Sequence, residues 1–143
     1  MKKGCVFLGV FLMFCAAAIY AGDIPVTVEF QGIIPGGGTV YVAIFYRADS
    51  YRKQVPEYAL NFEPAAETVR REIVLPEGDC IVSCYQDANG NGEMDSGVFG
   101  MPKELIGLTN YDGRGATGGF KKLTVPINRD TPVITVHLYK VRI

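Results

Sequence analysis

The chain has 143 residues, a formal net charge of −1 and 20 % charged residues. That length holds one domain, and the charge balance has no basic excess to attract nucleic acid or anionic lipid. A single histidine and four cysteines leave little material for imidazole chemistry or a thiol-based metal centre.

The first 21 residues read as an export signal rather than as fold. Lys2 and Lys3 give a positive start, and residues 5–18 form an uncharged, mostly apolar run. Ile19-Tyr20-Ala21 then offers a small residue for cleavage. A membrane anchor needs about 20 apolar residues, more than this run supplies. A lipid-bearing cysteine needs a small residue before it, and Cys15 follows Phe14. A buried helix here would find no helical partner later in the chain. Export to a periplasmic or extracellular location is therefore expected, with no membrane span once the signal is cut. The mature domain, residues 22–143, has 122 residues and a charge of −3, because Lys2 and Lys3 leave and no acid does.

From there the hydrophobic period is two. Ile24, Val26, Val28 and Phe30 alternate with polar neighbours, which predicts a half-buried strand. Residues 32–38 hold Pro35 and three consecutive glycines and turn the chain. Residues 40–46 are β-branched and aromatic throughout, as in a central strand. Residues 48–57 read as loop, and 58–62 as either a short strand or more loop. Residues 67–75 carry Arg70 and Arg71 and suit a sheet edge. Pro76-Glu77-Gly78-Asp79 has turn chemistry, which predicts a hairpin with a strand at 80–86.

That strand places Cys80 and Cys84 on one face with Val82. Four strand residues span about 13 Å, and a disulfide reaches only to about 7 Å between Cα atoms. Buried free thiols are expected. Residues 87–99 form an irregular loop, and 100–110 show no period. Residues 111–119 hold four glycines and read as loop. Leu123, Val125 and Ile127 alternate, with Pro126 marking an edge. Residues 133–143 close the chain as a strand with Ile134, Val136 and Leu138 on one face. About seven short strands without an amphipathic helix predict an all-β antiparallel sandwich.

The chemistry concentrates in residues 87–95, Asp-Ala-Asn-Gly-Asn-Gly-Glu-Met-Asp. Asp87, Asn89, Asn91 and Asp95 supply oxygens at positions one, three, five and nine, and Gly92 stands at position six. That is the front of a calcium loop. Calcium takes six to eight oxygens at about 2.3–2.6 Å, so the chain must wrap around it, and a glycine allows the sharp turn. Glu93 would contribute its main-chain carbonyl. Position twelve, where a bidentate glutamate belongs, is Val98, so an acid from elsewhere must complete the set. Glu104 is the nearest later carboxylate, and Asp112 is the next. A hairpin turn would also use Asn-Gly pairs, but it does not require Asp87 and Asp95 at this spacing. The expected cofactor is calcium, bound with affinity of about 10⁻⁴–10⁻³ M, as in extracellular modules.

Residues 80–110 add a further pattern. A strand ends in Asp87, Asn89-Gly90-Asn91-Gly92 and Asp95 follow, then Gly100, Pro102, Glu104 and Gly107, then Thr109-Asn110. This resembles a family of bacterial exported proteins catalogued as domain of unknown function 2141. The chain departs from the family at Gln86, where histidine is common, and at Thr109 in place of serine. The resemblance implies a transthyretin-like or immunoglobulin-like sandwich and an exported location, and pairs Glu104 with the loop. It implies no reaction.

No nucleophile and base arrangement accompanies His137, whose strand parity with Thr135 and Tyr139 predicts an exposed, unpartnered ring. No Gly-x-Ser-x-Gly elbow or phosphate loop is present. Asp95 and Glu104 could act as a glycosidase pair, but metal ligation accounts for them better. The domain reads as non-catalytic. The competing reading is a binding or adhesion module that captures a glycan, peptide or envelope protein through loops at one end. Tyr41, Tyr51, Tyr58 and Tyr111 would then offer aromatic platforms.

Overall fold

The computed structural model describes residues 23–97 and 100–142. Residues 1–22, which include the stretch read as an export signal, and Val98, Phe99 and Ile143 lie outside the described residues. The fold is an all-β sandwich of two sheets. The first sheet has the order β4-β1-β8, built from β1 (Asp23–Gln31), β4 (Val69–Pro76) and β8 (Ile134–His137). The second runs β3-β2-β5-β6-β9, from β2 (Val40–Phe45), β3 (Tyr58–Phe62), β5 (Gly78–Gln86), β6 (Leu105–Leu108) and β9 (Tyr139–Lys140). A short strand β7 (Val125–Ile127) pairs with the start of β5.

The alternation seen in the sequence sets the layers. Val26, Val28 and Phe30 of β1 face Val40, Val42 and Ile44 of β2 across the sandwich, with Cys80, Val82 and Cys84 of β5 in the same buried cluster. Both cysteines are free and buried. Burial pushes the Cys80 thiol up to about 11 and the Cys84 thiol up to about 12, so neither is a thiolate at neutral pH.

Three expectations are corrected and one is refined. First, residues 67–75 and 80–86 do not form a hairpin. β4 pairs antiparallel with β1, while β5 pairs with β2 and β6. Leu75 and Cys80 both bury fully into the shared core, so the two strands lie across from each other rather than side by side. The Pro76–Gly78 turn is a corner between sheets, pinned by the Tyr46 hydroxyl, which donates to the Pro76 carbonyl at 2.8 Å. Second, the expected antiparallel sandwich includes one parallel pair. β8 runs parallel to β1, with Val28 opposite Ile134 and Gln31 opposite His137.

Third, the C-terminal segment is two strands. Leu138 N–H donates to the Gln31 carbonyl at 2.8 Å, and the next residues pair with β6 in the other sheet. The chain crosses over Gly107 as it changes sheets. A Cβ there would lie 2.9 Å from the His137 carbonyl oxygen and 3.0 Å from Cys84 Sγ, so only glycine fits the crossing. This crossing also removes His137 from full exposure. Its ring is half-buried, 4.4 Å from that of Tyr139.

Fourth, residues 48–57 are not all loop, because α1 (Ala48–Lys53) forms within them. A second short helix, α2 (Phe120–Leu123), precedes β7. The two helices cover part of the outer face of the second sheet. There Phe45, Ile81, Ile106, Leu108 and Leu123 form a second buried cluster. Residues 58–62, left open by the sequence, are an edge strand paired with β2. Residues 100–110 contain β6, hidden from a periodicity argument because Ile106, Gly107 and Leu108 are all buried. Thr109 and Asn110 tie α2 to the sheet: Thr109 Oγ1 donates to the Leu123 carbonyl at 2.6 Å, and Asn110 Nδ2 to that of Thr124 at 2.8 Å.

Glu57 fastens α1. It accepts from Ser50 Oγ at 2.5 Å, Arg47 Nε at 2.9 Å and the Tyr46 N–H at 3.0 Å. Burial pushes this carboxyl upward, but the hydrogen bonds from Ser50, Arg47 and Tyr46 outweigh it and hold it down at about 2. A depressed carboxyl stabilises the fold above its unfolded value of 4.5, and that stabilisation is lost as pH falls through about 2. Acid melts should therefore show stability falling across this window. Glu57→Gln should flatten that slope, read as the pH dependence of Tm.

Candidate metal site

Residues 87–95 leave the end of β5 and form a tight acidic loop. Its hydrogen bonds follow from short oxygen-bearing side chains that turn back onto their own backbone. Asp87 is only 1 % exposed. Its Oδ1 accepts the Gly90 N–H at 3.0 Å and its Oδ2 accepts the Gly92 N–H at 2.7 Å. Asn89 Oδ1 accepts the Asn91 N–H at 3.1 Å, and Asn91 Oδ1 accepts the Glu93 N–H at 2.9 Å. Gly90 and Gly92 both adopt φ of +73°, the left-handed region that suits glycine. The amide nitrogens of Asn89 and Asn91 both donate to the Asp95 carboxylate. Asp87, Asn89, Asn91 and Asp95 thus belong to one hydrogen-bonded loop.

Glu104 joins this loop from the residue just before β6. It is 6 % exposed. One carboxylate oxygen accepts the Ala88 N–H at 3.2 Å, and the other accepts the Asp95 N–H at 3.3 Å. It therefore clamps the two ends of the loop together. Burial pushes its carboxyl upward first, two backbone N–H donors pull against that, and the charges of Asp87 and Asp95 push it further up. The net shift is upward, with burial its main cause and the neighbouring carboxylates adding to it. No salt bridge among the described residues reaches Asp87, Asp95 or Glu104.

The other candidates sit differently. The Glu93 side chain is exposed, consistent with its carbonyl being the group offered. Asp112 accepts the Arg114 N–H at 3.1 Å within its own turn. Val98, the twelfth position, lies outside the described residues. Among the described residues, no three side chains of His, Cys, Asp or Glu come together as a metal cage. A cation here would depend on amide and main-chain oxygens as well as carboxylates. These donors are all hard oxygens, and an amide oxygen that accepts one N–H keeps a second lone pair.

Two supports of the site escaped the sequence reading. Gln86 is 2 % exposed. Its Nε2 donates to the carbonyls of Ile34 at 2.8 Å and Gly38 at 3.1 Å, while its Oε1 accepts the Ile34 N–H at 3.0 Å. Gln86 shares strand parity with Cys80, Val82 and Cys84, so its burial was signalled by the same alternation that buried them. Gly38 packs directly beneath Asp87. A Cβ on Gly38 would lie 1.8 Å from the Asp87 carbonyl oxygen, and the Asp87 N–H donates to the Thr39 carbonyl at 2.9 Å. The glycine-rich turn at 36–38 is thus the platform on which the acidic loop rests.

Of the four tyrosines named as platforms, Tyr41 and Tyr51 line one groove on the outer face of the second sheet. Tyr58 sits at the edge near Tyr46, and Tyr111 packs with the α2 cluster. Residues 28–135 match the family model described as "Uncharacterized protein conserved in bacteria" (DUF2141). No curated protein and no solved structure matches the chain.

Proposed function

The chain belongs to this family of bacterial proteins, whose description assigns no activity, and we propose from the site itself that it is an exported, non-catalytic calcium-binding domain. Export rests on the charged start, apolar run and small-residue cleavage site of residues 1–21. One observation carries the metal reading. Glu104 bridges both ends of a loop that holds Asp87 and Asp95, and its carboxyl is pushed upward by burial and by those two charges. A divalent cation relieves that repulsion, and the alternating oxygens of Asp87, Asn89 and Asn91, the Glu93 carbonyl and Asp95 supply ligands of the right hardness.

The ion's role is structural. It would fix the loop against β5 and β6, and an affinity of about 10⁻⁴–10⁻³ M suits a calcium-rich exterior. Isothermal titration of calcium into chelator-treated protein tests this. One site per chain is expected, with Glu104→Gln weakening it about tenfold or more, the loss of one charged ligand being worth at least ~1.4 kcal/mol. No heat and no terbium luminescence at millimolar metal would refute it.

A further inference from the structure

The two helices cover only part of the outer face of the second sheet. Beside them the described residues line a groove of about 570 Å³, within the range of small-molecule sites, about 300–1,000 Å³. Small residues make its floor: Ala43 of β2 and Ser83 of β5, which pair directly across the two strands. Beside them the rings of Tyr41 and Tyr85 stack, with centroids 5.2 Å apart. Tyr51 of α1 and Met94 of the acidic loop also line it, and Met94 is 46 % exposed. The Tyr85 hydroxyl donates to the Gly92 carbonyl at 3.0 Å, so the loop is braced against this face.

We propose that this groove binds an uncharged small molecule with an extended apolar body. Charge complementarity selects that class. Among the described residues no lining side chain is charged, and the polar ones carry hydroxyls and amides, including Asn61, Gln54 and Thr117. The adjoining loop carries Asp87, Glu93 and Asp95, with Glu104 bridging its ends, and this opposes an anion. A cation would be drawn to that loop, then desolvated inside the groove with no carboxylate in the lining to pair it. An apolar body meets the aliphatic and tyrosine surface without that penalty. The inference goes beyond the calcium reading and does not need the metal.

N-phenyl-1-naphthylamine, an uncharged apolar fluorophore, tests it in buffer with chelator. The purified protein should give a saturable fluorescence increase, displaced by octanol at concentrations about tenfold below those of octanoate, whose charge would be buried unpaired. Ser83→Phe fills the floor and should weaken binding about tenfold or more with circular dichroism unchanged. Ala59→Trp, on the exposed edge strand lining the same groove, carries the test if Ser83→Phe does not fold. Ile34→Ser, at an exposed apolar site outside the groove lining, should bind normally. Absence of saturable binding by the unsubstituted protein, full binding by a folded groove variant, or octanoate matching octanol would overturn the proposal.

Discussion

Replacing Gly38 by alanine is expected to cost about 4 kcal/mol or more, which places it among the most damaging single substitutions. Two effects combine. Gly38 has φ of +112°, a conformation that costs an L side chain strain wherever it occurs. Its added Cβ would also sit 1.8 Å from the Asp87 carbonyl oxygen. The obstacle is backbone rather than the end of a flexible side chain, so relief requires moving β5 or the turn. Gly36→Ala separates the two effects. Its φ is +69°, but none of the described residues lies within 4 Å of its added Cβ, so only the conformational cost of about 1–2 kcal/mol applies. Denaturant melts of the two variants should differ accordingly. Equal stabilities would mean that the 36–38 turn does not rest on Asp87.

The second large effect concerns Asp87 itself. Read by spacing alone, Asp87 is one calcium ligand among several. The structure gives it a further task, since its two oxygens hold the Gly90 and Gly92 N–H groups. Asp87→Ala should therefore destabilise the metal-free protein by about 2–3 kcal/mol, from two charge-assisted hydrogen bonds partly replaced by water. It should also remove all calcium-dependent stabilisation. Asp87→Asn retains one acceptor and should recover part of the metal-free stability while still failing to respond to calcium. A full calcium response in either variant would exclude Asp87 as a ligand.

What could be read from the sequence follows from where the information sits. The faces of β1 and β5 were legible because alternation is local, and Ile24 to Phe30 announce a buried face without knowledge of their partners; β2 was legible as a central strand because residues 40–46 are apolar throughout. Pairing is not local. The turn chemistry of residues 76–79 is the same for a hairpin and for a corner between sheets, and only the shared core of Leu75 and Cys80 distinguishes them. Helix α1 gave no signal because it has six residues and an N-cap, Arg47, that makes no side-chain capping bond. The acidic loop was legible because its oxygens lie within nine consecutive residues. Gly38, which supports it from far along the chain, was not. The groove was hidden for a similar reason, since its lining is gathered from several strands, α1 and the loop, and no one segment declares it.

Calcium binding is read most simply from thermal melts of the purified protein in calcium and in chelator. At calcium ten times above Kd, native-state binding adds about 1.4 kcal/mol, from RT ln(1 + [L]/Kd). For a domain of this size that raises Tm by roughly 4–8 °C. That rise is expected for the unsubstituted chain and none for Asp87→Ala. Superimposable melts in chelator and at calcium of about 10 mM, ten times the weakest expected Kd, would contradict it.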